Sequence, residues 1–95
     1  MCIRDRNEAV HHLFVVSLKN REQMIEKFSN AGIPTGIHYP VPIHKHKCFA
    51  ELSFAQDCSF PIAEEQASKL ISLPMHPNLT EAEVDKVCEV IKTHL

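Results

Sequence analysis

Residues 11–34 read HHLFVVSLKNREQMIEKFSNAGIP, and they predict a strand followed by a helix. Residues 11–18 are rich in aromatic and β-branched side chains with a nearly continuous apolar centre, which predicts a strand that is covered on both faces or lies in mid-sheet. Asn20, with Gln23 three residues later, is a capping-box pattern that predicts the start of a helix. Gly32 predicts its end, because glycine readily adopts the left-handed conformation that follows a helix.

The rest of the chain predicts further short strands and helices. A second strand is expected over residues 35–39, and Pro61 suits the first turn of a helix that runs to residue 71. Residues 72–75 predict a third strand, and Thr80 with Glu83 predicts a capping box for the last helix. This order predicts a two-layer α/β (α+β) domain, with a small mixed sheet of about three strands and helices mainly on one face.

Composition narrows the classes of function. The chain has 95 residues, 44% hydrophobic and 23% charged, and a formal net charge of −2, which indicates one globular domain without a broad basic face for nucleic acid. No apolar run approaches the roughly 20 residues of a membrane span, and the first residues lack the apolar core of a secretory signal. We therefore expect no nucleic-acid and no membrane partner. Four cysteines without tight spacing favour reduced, buried or half-buried thiols in a cytoplasmic protein.

The stretch GIHYPVPIH at residues 36–44 is the sharpest local feature. It places His38 and Tyr39 at the end of a predicted strand, and a proline-stiffened extended loop then carries His44 away from the sheet. Imidazole and phenol groups can donate hydrogen bonds to phosphate or sugar oxygens. The same pattern also fits half-buried packing residues beside a shaped loop, and the residue types alone leave both interpretations open.

A metal site is a second possibility. His44, His46 and Cys48 alternate along the chain and, with His38 or His76, could make a zinc set. Their spacing matches no recognised finger or ribbon, so a free-standing histidine-rich metal-binding or interaction module stays an alternative, and no metal ligand is assigned. The sequence contains no nucleophile elbow and no glycine-rich phosphate loop. The residues alone therefore assign no catalytic and no cofactor-binding group.

Two motifs, TGIHYPVPIH at residues 35–44 and LISLPMHPNLT at residues 70–80, occur in this order with FPIAE at residues 60–64 between them. Together they closely resemble the C-terminal small domain of the DegT/DnrJ-type nucleotide-sugar aminotransferases. The resemblance covers residues 8–95, and residues 1–7 are interpreted as a non-matching tail, an artefact of gene calling. A member of that family should be several times longer, so the large domain would be missing here.

The resemblance implies the small domain of a type I aminotransferase fold that depends on pyridoxal phosphate (PLP), with PLP bound by the missing large domain. It implies transfer of an amino group from glutamate to a nucleotide-linked keto sugar, in amino-sugar and cell-surface polysaccharide biosynthesis, by a homodimer. By the match to relatives, His38, Tyr39 and His44 are assigned to substrate binding. This chain alone is expected to be inactive. A PLP-dependent sugar dehydratase of the same family remains open, because the deciding lysine position lies in the missing domain.

Overall fold

Two β-strands and three α-helices organise the part of the chain that the structure describes, residues 10–49, 52 and 58–94 of a computed structural model. In chain order they are β1 (Phe14–Ser17), α1 (Arg21–Asn30), α2 (Pro61–Lys69), β2 (Leu70–Leu73) and α3 (Glu81–His94). Two short 3-10 turns, Ile43–Lys45 and Lys47–Phe49, lie in the connection from α1 to α2. His44 therefore lies in a turn, where the sequence predicted an extended loop.

The strands β1 and β2 pair antiparallel, with Phe14 opposite Leu73 and Ser17 opposite Leu70. Within the described residues the sheet consists of this pair. The small α/β character is confirmed, whereas a mixed sheet of about three strands is not what these residues form.

The segment predicted as a strand over residues 35–39 reaches the sheet at a single position. Gly36 and Ser72 form an isolated antiparallel bridge. The Gly36 amide donates to the Ser72 carbonyl at 3.0 Å, and the Ser72 amide donates to the Gly36 carbonyl at 2.7 Å. Pro34 and Pro40 flank the segment and have no amide donor, so the pairing cannot extend far along the chain.

The ends of α1 show one predicted signal that works and one that does not. Asn20 is the N-cap, but its side chain makes no capping hydrogen bond, so the predicted capping box does not form. At the other end Gly32 has a φ of +70°. Its amide donates to the Ser29 carbonyl at 2.9 Å, and the amide of Ile33 donates to the Phe28 carbonyl at 2.8 Å. These two bonds form a Schellman motif, which satisfies carbonyls that the helix itself leaves unpaired.

The later elements follow their sequence signals more closely. Pro61 begins α2, as predicted. Leu70 is already extended at φ −72° and ψ 137°, so β2 starts two residues before the predicted strand over residues 72–75. The predicted capping box of α3 is confirmed, because the Thr80 amide donates to Glu83 Oε2 at 2.8 Å and the Glu83 amide donates to Thr80 Oγ1 at 3.3 Å.

A small apolar core joins the sheet, α1 and α3. Its buried members are Leu18, Met24, Phe28, Ile33, Ile71 and Leu73. Phe28 and Ile71 are completely buried, and α3 contributes only partly buried side chains such as Val87 and Ile91. The buried members of the core therefore come from α1, β2 and the residues just after β1 and α1.

The opposite apolar surface stays open among the described residues. Phe14 is 42% exposed and Val84 is 46% exposed, so the prediction that the first strand is covered on both faces is wrong for these residues. Beside them lies an apolar cavity of about 360 Å³ between the sheet and α3. Cys88 lines this cavity and is exposed, as is Cys48, which corrects the expectation of buried or half-buried thiols at these positions. No helix in the described part of the chain is long and apolar enough to cross a membrane.

Candidate ligand-contacting edge

The imidazole of His38 is held against the sheet edge. Its Nδ1 atom lies 2.8 Å from the hydroxyl oxygen of Ser72. Ser72 is buried in β2, with 4% of its surface exposed. The backbone bridge between Ser72 and Gly36 fixes the chain just before His38, so both the main chain and the ring of this residue are tied to the same position of β2.

Gly36 leaves room for that ring. A Cβ atom on Gly36 would come within 2.8 Å of His38 Cε1 and 3.4 Å of His38 Nδ1, and Cβ atoms do not approach other atoms that closely without displacement. The imidazole therefore lies directly over the glycine. Any other residue at position 36 would push the ring away from Ser72.

Tyr39 stands next to His38 and faces solvent. The peptide bond between the two residues is cis. Their ring centroids lie 5.5 Å apart with the planes at 85°, an edge-to-face arrangement. Tyr39 is 72% exposed, whereas His38 is only half-buried. The structure thus brings these two predicted site residues together, and the phenol is the more accessible of the two groups.

His44 makes a different set of contacts. Its Nε2 atom lies 2.9 Å from Glu64 Oε1, and its ring packs edge-to-face on Phe60 with centroids 4.9 Å apart. Its side chain is 12% exposed. Among the described residues, no hydrogen bond or ring contact joins His44 to His38 or Tyr39, so the structure ties this third predicted residue to the start of α2.

Glu64 is the centre of that second cluster. Besides His44, its Oε1 accepts a hydrogen bond from the Phe60 amide at 3.3 Å and lies 3.5 Å from Lys45 Nζ. The hydrogen bond from His44 lowers the pKa of the Glu64 carboxyl, and the Phe60 amide and Lys45 lower it further, against the opposing effect of desolvation. Glu64 thus joins the loop to α2.

Ser72 and Glu64 are the residues that sequence reasoning missed. Both orient predicted site residues, at His38 and His44 respectively. Ser72 follows two apolar residues of a strand, and Glu64 comes early in a helix where acidic residues are common. Each lies inside a stretch that resembles the aminotransferase family, and this could have marked both as candidate site residues. Nothing in the residue types indicated that their partners are His38 and His44.

The described residues do not form a PLP site. The lysine that carries PLP must be desolvated or lie beside another cation to act as a nucleophile. Lys45 pairs with Glu64, and Lys69 pairs with Glu65. The other described lysines are exposed on the surface: Lys19, Lys27, Lys47, Lys86 and Lys92.

The guanidinium of Arg21 makes local contacts within the fold. Arg21 Nη1 donates to the Ala67 carbonyl at 2.6 Å, and Nη2 lies 3.3 Å from Glu22 Oε1. This guanidinium thus fastens the start of α1 to the last turn of α2 and is not presented to a ligand carboxylate.

Within residues 10–49, 52 and 58–94, no three His, Cys, Asp or Glu side chains converge as metal ligands would, so the geometry gives no support to a zinc set around His44.

Comparison with known proteins shows which protein family the chain matches. The model of the DegT/DnrJ/EryC1/StrS aminotransferase family matches residues 2–92. That match starts inside the segment interpreted as a non-matching tail, and residues 1–9 lie outside the described part of the structure. The division at residue 8 therefore stays a prediction.

Individual relatives agree with the family match. The chain is 39% identical over 92 residues to the dTDP-3-amino-3,6-dideoxy-alpha-D-galactopyranose transaminase of Aneurinibacillus thermoaerophilus, which covers 97% of this chain and 24% of the relative. It is 32% identical to the UDP-2-acetamido-2-deoxy-3-oxo-D-glucuronate aminotransferase of Pseudomonas aeruginosa, over 94% of this chain and 24% of that protein. The chain thus spans about a quarter of the length of the relatives it matches.

A solved structure shows the same fold. A DegT DnrJ EryC1 StrS aminotransferase from Brucella abortus superposes with a TM-score of 0.74 and 29% identity, over 85% of this chain and 21% of that protein. The fold, the motifs around His38 and Ser72 and the family match agree. This chain belongs to the DegT/DnrJ/EryC1/StrS aminotransferase family.

Proposed function

We propose that this chain is the C-terminal small domain of a PLP-dependent aminotransferase that transfers an amino group from glutamate to a nucleotide-linked keto sugar. In this proposal the large domain supplies PLP and the reactive lysine, and the small domain supplies His38, Tyr39 and His44 as substrate contacts together with part of a homodimer interface. The intact enzyme works in the cytoplasm, in amino-sugar and cell-surface polysaccharide biosynthesis.

The observation that carries the proposal is the pair His38 and Tyr39. One ring is anchored by Ser72 and the other is 72% exposed beside it. Preorganised donors lose little conformational entropy when a ligand binds, so an anchored imidazole and an adjacent phenol suit the oxygens of a diphosphate or a sugar. Membership of the aminotransferase family and the nucleotide-sugar names of the relatives support that class of substrate.

The small domain alone should not catalyse the reaction. Its described lysines are exposed or paired with carboxylates, and the cavity between the sheet and α3 is lined mainly by apolar side chains. The purified chain should therefore show no transamination with PLP, glutamate and a nucleotide-linked keto sugar. Turnover by the chain alone would contradict this part of the proposal.

A chimera tests the function itself. Residues 8–94 of this chain would replace the matched segment of the Aneurinibacillus thermoaerophilus relative, and the same relative without that segment would serve as the control. We expect the chimera to bind PLP and to aminate a nucleotide-linked keto sugar with glutamate, while the truncated control does not. A folded, PLP-loaded chimera that makes no product from any such sugar in a panel would contradict the proposal.

A further inference from the structure

Ser72 is buried, and its hydroxyl makes one hydrogen bond to the other described residues. That bond joins Ser72 Oγ to His38 Nδ1 at 2.8 Å. Only 4% of the surface of Ser72 is exposed, so its hydroxyl has little access to water. A hydroxyl in such surroundings is costly unless its proton is used, because an unpaired buried donor loses the hydrogen bonds it made in water.

The direction of the Ser72–His38 bond follows from this requirement. If Nδ1 carried the imidazole proton, it would donate to Ser72 Oγ, and the hydroxyl proton would have no acceptor among the described residues. If Ser72 donates instead, its proton is satisfied and Nδ1 is the acceptor. A neutral imidazole that accepts at Nδ1 carries its proton on Nε2.

The rest of the ring's surroundings preserve this arrangement. Gly36 lies close to Cε1 and Nδ1 of the ring, since a Cβ atom on Gly36 would be 2.8 Å and 3.4 Å from these atoms. The two backbone bonds between Gly36 and Ser72 fix the distance between the strand and the segment that carries the ring. Nε2 makes no hydrogen bond to any described residue, so it is the atom left for a ligand.

We propose that Ser72 is a positioning residue: it donates to Nδ1 of His38 and thereby presents Nε2–H as a hydrogen-bond donor to an oxygen of the nucleotide-sugar ligand. This inference rests on the proposed function for its ligand, but the tautomer itself needs no ligand. The Nε2–H group of His38 can donate to an anionic or hydroxyl oxygen of the ligand. It cannot bind a ligand group that is itself only a hydrogen-bond donor.

The direct test reads the protonation of the ring in the chain without ligand. Long-range ¹H–¹⁵N correlation spectra of the ¹⁵N-labelled chain distinguish the two neutral tautomers, and loss of one set of signals in His38→Gln assigns His38. In mildly alkaline solution, we expect the Nε2–H form in the unmodified chain. The Nδ1–H form, or an even mixture, would overturn the inference without any variant at Ser72.

Variants of Ser72 then test the cause. Ser72→Ala should give a mixture of tautomers, and Ser72→Thr, which keeps the hydroxyl, should restore the Nε2–H form. Ser17→Ala is the matched control, because Ser17 lies in β1 of the same sheet with an exposed side chain. A Ser72→Ala protein that keeps its circular dichroism spectrum and a pure Nε2–H tautomer would contradict the role of Ser72.

The chimera separates this inference from the proposed function. There Ser72→Ala should raise KM for the nucleotide sugar about fivefold to tenfold, the effect of a misplaced hydrogen-bond donor, with kcat nearly unchanged and with rescue by Ser72→Thr. An unchanged KM in a folded Ser72→Ala chimera would overturn the positioning role. If His38→Ala also left KM unchanged, the substrate contact in the proposed function would fail, while the tautomer in the free chain would still report on Ser72.

Discussion

His44 Nε2 lies 2.9 Å from Glu64 Oε1, and this contact joins the proline-rich loop to the first turn of α2. The His44 ring also packs on Phe60, so the loop is held by a charge-assisted bond and a ring contact at one place. Proline restricts the conformations of the loop before this contact forms, which lowers the entropy lost when the loop is fixed. The position of His44 is therefore set by α2, and that of His38 by β2.

The Glu64 contact predicts a pH dependence of stability. Because the folded chain lowers the pKa of Glu64 below its usual value of 4.5, the carboxylate stabilises the fold above that value, and the stabilisation is lost as the pH falls through the lowered folded value. The difference in unfolding free energy between the unmodified chain and Glu64→Gln should thus be largest near neutral pH and vanish in acid. Urea unfolding between pH 3 and pH 7 would measure it.

Glu26→Gln is the control for this measurement, because Glu26 is an exposed glutamate of α1. Its unfolding free energy should follow that of the unmodified chain at every pH. A difference for Glu64→Gln that stays constant across the range would show that the charge on Glu64 does not hold the loop.

Gly36→Ala should destabilise the chain by about 1 to 3 kcal/mol, because the new methyl group overlaps the His38 ring and overpacking costs this much. The cost should be relieved when the ring is removed. In a double-mutant cycle with His38→Ala, we expect a coupling free energy of about 1 kcal/mol or more. Chemical denaturation of the two single variants and the double variant would provide the numbers.

Gly32→Ala is the matched comparison. Gly32 has φ +70° and open space around its Cα, so alanine there should cost about 1 to 2 kcal/mol through its backbone conformation. This cost should add to that of His38→Ala without coupling. If Gly36→Ala were also additive, the close packing of His38 over Gly36 would be wrong.

Phe28→Ala should nearly unfold the chain. Phe28 is completely buried in the apolar core, and removing such a ring costs about 3 to 5 kcal/mol, a large part of the total stability of a small domain. Phe14→Ala is the control, because Phe14 is 42% exposed and should cost about 1 kcal/mol or less. If the two variants lost equal amounts of helical circular dichroism, the conclusion that Phe28 belongs to the core and Phe14 does not would be wrong.

Local signals predicted the elements whose ends are set by a few neighbouring residues. Gly32 ends α1 with a left-handed conformation, and Thr80 with Glu83 caps α3, as their sequence patterns indicate. These features depend on backbone geometry within one turn of a helix. Asn20 shows the limit, because the residue type was right for a cap and the side chain still makes no capping bond.

Long-range pairing was harder to predict. The strand expected over residues 35–39 forms only where its backbone can reach β2. In the described structure its backbone pairs with the sheet at Gly36 as an isolated bridge. The partners Ser72 and Glu64 lie 34 and 20 residues from His38 and His44. Periodicity within a segment carries no information about such distant partners. The assignment of His38 and His44 to substrate binding came from the resemblance to a family and stays a prediction.

Substrate affinity in the chimera that carries this chain shows whether His38 and Tyr39 contact the nucleotide sugar. His38→Ala and Tyr39→Phe should each raise KM for the nucleotide sugar by about tenfold or more, since each removes a donor to a charged or polar oxygen. His46→Ala, an exposed histidine of the same loop, should leave KM unchanged. If His38→Ala and Tyr39→Phe bind the nucleotide sugar as tightly as the parent chimera, these two rings do not contact the substrate.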